Sequence, residues 1–146
     1  MTVLIAIAGA LLATTSPEPP EDWVAITGTD AVVIGVDRGS VRHAGDIATF
    51  DAMNAWLHGT HGDYAISEVR IDCVSRTFQV GDRTTYEADG ATIATFTTPG
   101  PVASFGPTTT MGDVSRAVCD GTWPGNFSAP AHADFYRMAV EAMRGD

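Results

Sequence analysis

The sequence contains no lysine: all eight basic residues are arginines, and 18 acidic residues bring the formal net charge to −10. A nucleic-acid binder needs a cationic face that displaces counterions from phosphate, and an anionic membrane surface makes a similar demand. This charge balance therefore argues against a nucleic-acid partner and against a membrane-surface interface. The absence of lysine also excludes Schiff-base chemistry and every lysine nucleophile.

Cysteine is scarce, and the familiar catalytic motifs are missing. Only Cys73 and Cys119 are present, without a Cys-x-x-Cys motif, which leaves a thioredoxin-type redox site or a four-cysteine zinc site unsupported. The sequence has no Gly-x-Ser-x-Gly elbow, no phosphate-cradling glycine loop and no pair of carboxylates singled out by spacing. We therefore expect a non-enzymatic protein with no catalytic residues and no cofactor.

Residues 1–15 carry no charged side chain and are apolar from Val3 to Ala13. This run is shorter than the roughly 20 residues that span a bilayer, and it matches the apolar region of a signal peptide. We predict a signal peptide over 1–15, a proline-rich linker over 16–22, and a mature chain without a transmembrane segment. Export to the periplasm or cell surface would place Cys73 and Cys119 in an oxidising compartment, where they are expected to pair.

Short apolar and β-branched segments separated by glycine-containing turns predict strands through the first two thirds of the chain. The segment 47–57 fits a helix or a strand, and its short flanking turns favour a strand. A phase shift in the apolar pattern of 64–73 predicts a β-bulge near Ser67. A turn at Gly81-Asp82 predicts a hairpin. The predicted strands are 23–27, 31–37, 41–44, 47–57, 64–73, 76–80, 84–87 and 91–97, the last of the series.

Two helices are predicted after the strands. The first starts at Thr110, places Met111, Val114 and Val118 at helical spacing, and stops at Gly121. The second follows Pro130 and runs to about residue 144, with an apolar stripe that begins at Phe135 and includes residues 138 or 139 and 142 or 143. The sequence thus predicts an α+β fold: an antiparallel sheet of about six strands, one helix disulfide-linked to it, and a further C-terminal helix.

Five short motifs occur in an order typical of one family. They are Trp23-Val24, the VIGVD stretch 33–37, Ser40-Val41-Arg42, Val69-x-Ile-Asp-Cys73, and Pro107 ahead of a helix that ends in Val118-Cys119. The set resembles the surface-adhesin protein E-like domain over residues 23–121, which leaves 122–146 as a linker and C-terminal helix. The resemblance implies an exported domain with a Cys73–Cys119 bond. It also implies an adhesin-like role with a matrix protein as ligand; an envelope protein is the other candidate ligand.

The loop between the fourth and fifth predicted strands is the candidate metal site. His58, His61 and Asp63 form a His-x-x-His-x-Asp pattern, with His43 as a further candidate. Imidazole and carboxylate groups would suit Zn²⁺. The alternative is a polar turn, which we favour because spacing in a loop does not fix a coordination geometry. Convergence of these side chains in a cleft would support a metal-binding or metal-dependent enzyme module.

The candidate binding residues are Trp123, Arg42 and Arg70. Trp123 stands beside Pro124 and Gly125, so we expect it to be an exposed anchor, whereas Trp23 and Trp56 are expected in the core. The two arginines belong to a polar group that also contains Asp37, Arg38 and Asp72, and that either has a function or forms cross-strand charge pairs.

Export, one disulfide and the lack of a catalytic pattern favour a binding module that uses a flat sheet face or an open strand edge. The remaining alternatives are the metal-dependent module and a structural envelope protein that binds no host ligand.

Overall fold

The computed structural model describes residues 16–145, so the predicted signal peptide lies outside the described residues. Within this range nine antiparallel strands form one sheet, in the order β7-β6-β5-β4-β2-β1-β9, with β3 beside β4 and β8 beside β6. The strands are β1 (Trp23–Gly28), β2 (Val32–Asp37), β3 (Arg42–Ala44), β4 (Ile47–Trp56), β5 (Tyr64–Asp72), β6 (Thr77–Tyr86), β7 (Thr92–Phe96), β8 (Ala103–Ser104) and β9 (Ser128–Ala129). The helices are α1 (Thr110–Asp120) and α2 (His132–Arg144), and residues Arg38–Ser40 form a 3-10 turn.

The α+β fold is confirmed, and six longer strands make up most of the sheet. The segment 47–57, for which a helix was the alternative, is strand β4. The expectation that 91–97 is the last strand is wrong, because β8 and β9 follow it. Each of these is a two-residue bridge to a neighbouring strand, too short to leave an alternating pattern in the sequence.

The predicted hairpin at Gly81-Asp82 is wrong: residues 77–86 form the single strand β6. Both halves of β6 pair with β5, through Val80 opposite Val69 and Arg83 opposite Ser67. Gly81 and Asp82 together occupy the space opposite one residue of β5, which is a β-bulge. The Gly-Asp pair indicates a turn when the local sequence is considered alone. Here both halves of β6 pair with the long strand β5, so the chain continues as one strand.

The apolar phase shift within β5 has a different cause from the one predicted. The register does shift near Ser67, but the extra residue lies in β6, and β5 pairs with β4 without interruption. Tyr64 belongs to the hydrophobic cluster under α2, whereas Val69 and Ile71 belong to the cluster under α1. Successive side chains of a strand point to opposite faces. The pattern therefore changes phase because each helix covers a different face at a different end of the strand.

Helix α2 packs on one face through large side chains. Phe135 is fully buried among Trp23, Met53 and Tyr64. Gly35 lies beneath it, and a Cβ at that position would stand 2.5 Å from the Phe135 ring. No other residue type would leave room for the ring, so Gly35 sets how closely α2 approaches the sheet.

Helix α1 packs on the opposite face through small side chains, mainly Val114, Ala117 and Val118. Its N-cap is Thr109, one residue before the predicted start, and the Thr109 hydroxyl accepts a hydrogen bond from the Gly112 amide at 3.1 Å. Gly121 ends it in the left-handed conformation, as predicted.

The Cys73–Cys119 disulfide is confirmed: it links the end of α1 to the residue after β5, with the Cα atoms 5.8 Å apart. Closing a loop between residues 46 apart in sequence stabilises the fold by at most roughly 4 kcal/mol in the chain-entropy account.

Candidate functional site

The two helices leave part of the α1 face uncovered, at the end of the sheet where β4 finishes. Met53 and Ala55 of β4 pack under α2, so Trp56 points to the opposite face. Arg83 lies opposite Phe96 in the β6–β7 register, and both point to the same side as Trp56. We call Trp56, Arg83 and Phe96 the aromatic patch.

Arg83 is held between the two rings of the aromatic patch. Its Cζ atom lies 5.9 Å from the centroid of the Trp56 ring and 5.9 Å from that of Phe96. Both distances are within the range of a cation–π contact, which stabilises by about 0.5–1 kcal/mol at exposed sites. Phe96 itself is 55% exposed. The patch therefore presents an ordered cation and an exposed aromatic ring on the open face.

A cavity of about 190 Å³ adjoins the aromatic patch, lined by Trp56, Arg83 and the loop of residues 58–62. Two glycines give this loop its tight path. A Cβ at Gly59 would stand only 1.7 Å from the carbonyl oxygen of Gly62, and Gly62 has a φ of +139°. The loop conformation thus depends on glycine at both positions.

The candidate metal ligands do not converge. His58 and His61 lie in the cavity loop, but His43 is paired with Ala48 near the opposite end of β4, roughly 25 Å away by strand rise. Asp63 directs its carboxylate away from this loop, to the Ala88 amide and the Tyr136 hydroxyl. Within residues 16–145, no three His, Cys, Asp or Glu side chains are grouped to hold a metal ion. The metal hypothesis therefore has no support in this part of the chain.

Asp63 connects the loop after β4 to neighbouring elements. One carboxylate oxygen accepts a hydrogen bond from the Ala88 amide at 2.8 Å, and the other accepts one from the Tyr136 hydroxyl at 3.4 Å. Burial raises the pKa of Tyr136, and the negative charge of Asp63 raises it further. This carboxylate thus has a structural role between the loop, the β6–β7 turn and α2.

The burial of the three tryptophans agrees only partly with the predictions from sequence. Trp23 is buried in the core, as predicted. Trp56 is half-buried and lines the cavity instead of the core. Trp123 is half-buried as well, because its ring packs against the α1 cluster and the Arg38 Cζ atom lies 5.7 Å above it. Trp123 is therefore not an exposed anchor.

Arg42 and Arg70 lie on exposed parts of the sheet, away from the aromatic patch. Arg42 donates hydrogen bonds to the carbonyl oxygens of Gly39 and Val41. Arg70 lines a shallow cleft together with Asp72 on the face that α2 partly covers. Cross-strand charge pairing was the simpler expectation for this polar group, but the ion pair that forms joins Arg38 to Asp22 at 2.6 Å.

An acidic groove runs between residues 18–23 and the sheet beside the start of α2. Asp51 lies in it, and burial raises the pKa of this carboxyl, followed by the nearby charges of Asp37 and Glu68. Asp37 accepts hydrogen bonds from the amides of Asp22 and Gly39, at 2.8 and 3.0 Å. Asp51 thus shares the groove with other acids and with Arg42, and its burial disfavours the charged form.

Arg83 and Phe96 were not among the candidates from sequence. The predicted turn at Gly81-Asp82 placed Arg83 beside a loop, and Phe96 was one apolar residue of an ordinary strand. A usable signal was the uncharged run of residues 91–98, because an edge strand normally carries a charge or a proline.

These observations define a disulfide-stabilised α+β protein with an open aromatic patch. The family described as surface-adhesin protein E matches residues 23–120, and the chain belongs to this family. The resemblance noted in the sequence is thereby confirmed. Helix α2 lies beyond the matched residues. No curated protein matches the sequence.

Solved structures of protein E from Haemophilus influenzae have a similar fold. One is 13% identical, with a TM-score of 0.53, and the match covers 72% of this chain and 88% of that chain. A second crystal form is 13% identical, with a TM-score of 0.55 and coverage of 80% and 98%. The structure from a non-typeable strain is 11% identical, with a TM-score of 0.51 and coverage of 94% and 96%. At these identities the likeness shows the fold alone. In residues 16–145, neither helix has the length and hydrophobicity to cross a membrane.

Proposed function

We propose that this chain is an exported, non-enzymatic binding module that recognises a protein ligand through the aromatic patch. The observation that carries the proposal is the exposure of Phe96 beside an arginine already ordered by two rings. The few residues that dominate the binding energy of protein interfaces are enriched in tryptophan, tyrosine and arginine. Membership of an adhesin family supports a protein ligand, with matrix and envelope proteins as the candidates.

The position of the aromatic patch at a sheet edge favours an extended ligand segment. Among the described strands, β7 pairs only with β6, so its outer edge is open to a further strand. Residues 91–98 carry no charge, and Ile93 is 48% exposed. A ligand segment added to this edge would place alternate side chains over Phe96. Burying an exposed aromatic side chain is worth about 1.5–3 kcal/mol.

The proposed organisation follows from the sequence and the family match. Residues 1–15 would direct export and be removed, and 16–22 would link to a family domain over 23–121. Residues 122–146 would supply the linker and α2. The disulfide supports export, because such bonds persist mainly in oxidising compartments.

A pull-down tests the proposed function. The exported chain is presented to envelope extracts and to purified matrix proteins, beside the variants Phe96→Ser and Val74→Ser. Val74 is 73% exposed and lies in the β5–β6 turn, so it controls for loss of an exposed apolar side chain elsewhere. We expect a partner that the native chain and Val74→Ser retain and Phe96→Ser loses. A partner insensitive to Phe96, or no partner in either pool, contradicts the proposal.

A further inference from the structure

We propose that the cavity between Trp56, Arg83 and the loop of residues 58–62 binds a carboxylate group carried next to an apolar body. The inference deepens the proposed function and rests on it in one respect: the carboxylate would come from an acidic side chain of the protein ligand.

Among residues 16–145, the guanidinium group of Arg83 contacts two aromatic rings and has no ion-pair partner. The rings of Trp56 and Phe96 lie within 5.9 Å of its Cζ atom, which is the distance of contact with a guanidinium group. Within residues 16–145, the ion pairs are formed by Arg38, Arg116 and Arg137 and do not involve Arg83. A guanidinium group has five N–H donors in a planar fork that matches the two oxygens of a carboxylate.

The residues that line the cavity contrast in charge with the acidic chain as a whole. A formal net charge of −10 repels an acidic ligand from most of the surface. The described residues that line this cavity include an arginine and two histidines, His58 and His61, but no acid. Asp63, the acid that follows the loop, directs its carboxylate to Ala88 and Tyr136 instead. Within this lining, an incoming carboxylate therefore meets a cation and no acid.

The size of the cavity limits what can enter. At about 190 Å³ it is smaller than the roughly 300–1,000 Å³ of pockets that enclose drug-sized ligands. It suits one side chain or one small ring, with the indole of Trp56 as an apolar wall. Gly59 and Gly62 allow the loop to approach itself closely. A hydrogen bond from the Trp56 amide to the Asp63 carbonyl oxygen, at 3.0 Å, joins the two ends of the loop.

The test uses small probes on the full chain, followed by NMR at the Trp56 indole N–H and the Arg83 Nε–H. One pair is benzoate and its neutral counterpart benzamide. The other pair is acetyl-Phe-Asp-amide and acetyl-Phe-Asn-amide, in which the carboxylate is carried as in a protein ligand. We expect saturable shifts with both carboxylates and none with the neutral counterparts. Tighter binding of the Asp dipeptide supports a protein source, and tighter binding of benzoate indicates a free aromatic acid and overturns the assigned source.

Two arginine variants make the test specific. Arg83→Gln should weaken carboxylate binding at least tenfold, and Arg83→Lys should weaken it less. Arg70→Gln changes the net charge equally on the other face of the sheet and should leave affinity within twofold. Absence of saturable shifts, equal binding of the neutral probes, or equal loss in Arg83→Gln and Arg70→Gln overturns the proposal. The probes bind without a partner protein. Probe binding can therefore be observed even if the pull-down finds no partner, so failure of the proposed function and failure of this inference can be told apart.

Discussion

The two helices are fixed to the sheet by different means. Helix α1 has a side-chain N-cap and a disulfide, and it buries small residues such as Val114 and Ala117. Helix α2 has neither a disulfide nor a side-chain N-cap, and it buries Phe135 and Tyr136. A helix that is covalently linked to the sheet can thus be held by the burial of small apolar side chains. A helix without such a link depends on the burial of large ones to stay attached. Three experiments test this difference, and a fourth tests a carboxylate beside the start of α2; they run from the largest expected effect to the smallest.

The first compares truncation in the two helices. Phe135→Ala should lower the free energy of unfolding by about 3–5 kcal/mol, because it empties the space above Gly35. Val114→Ala in α1 removes less buried surface and should cost about 2 kcal/mol. Urea titration followed by circular dichroism measures both values. Equal losses would show that the two helices do not differ in their dependence on packing.

The second experiment removes the covalent link. The double variant Cys73→Ala/Cys119→Ala should lower the free energy of unfolding by about 2–4 kcal/mol. Hydrogen exchange should then show faster opening of α1 amides while α2 amides stay protected at matched global stability. The native chain under the same urea-adjusted stability is the control. If protection falls equally in both helices, the disulfide does not act on α1 in particular.

The third experiment exchanges the capping arrangements. Thr109→Ala removes the bond to the Gly112 amide and should cost about 1 kcal/mol. The Glu21 carboxylate already accepts a hydrogen bond from the His132 amide at 2.9 Å, but Ala131 has no capping side chain. Ala131→Ser supplies one and should stabilise the chain by about 0.5–1 kcal/mol. Thermal unfolding at one pH measures both. A loss in each variant would mean that the extended start of α2 is not compatible with a side-chain cap.

The fourth and smallest effect concerns Asp51, in the acidic groove beside the start of α2. Its raised pKa means that the folded chain binds the proton more tightly than the unfolded chain does. The native chain therefore loses stability as the pH rises from the ordinary carboxyl pKa, about 3.9, through the folded pKa. Asp51→Asn should be more stable than the native chain at pH 7, by less than about 1 kcal/mol, and no more stable at pH 3.

A matched variant controls for the general loss of negative charge. Asp46→Asn removes a carboxylate from an exposed turn. If it stabilises the chain at pH 7 as much as Asp51→Asn does, the effect reflects net charge and not the groove.

Local patterns in the sequence predicted much of this fold. Alternation in β5 and helical spacing in α1 identified their elements, and export chemistry with the family resemblance predicted the Cys73–Cys119 bond. What failed depended on partners distant in sequence. Whether Gly81-Asp82 is a turn or a bulge is decided by β5, because both halves of β6 have a continuous partner there.

The aromatic patch could not be predicted for the same reason. Trp56, Arg83 and Phe96 lie on three strands, and only their register brings them together. On β5, the strand between β4 and β6, the two residues of this face nearest to the patch are the small Ala65 and Ser67, so the Arg83 side chain can reach the Trp56 ring. No spacing along the chain encodes that contact. The His58–Asp63 pattern could be recognised because its residues are close in sequence, but among residues 16–145 it does not form a metal site.

The two helices cover opposite faces of the sheet at opposite ends of β5, and this arrangement has a consequence for errors in strand pairing. In most sheets with one buried face, sliding a strand by one residue turns its apolar side chains toward water. In β5 the same slip would turn Tyr64 away from one helix and Ile71 away from the other. Both hydrophobic clusters would lose a member in a single step. Mispaired forms of this strand are thus penalised twice, and the correct alignment of the central sheet is secured by two independent contacts.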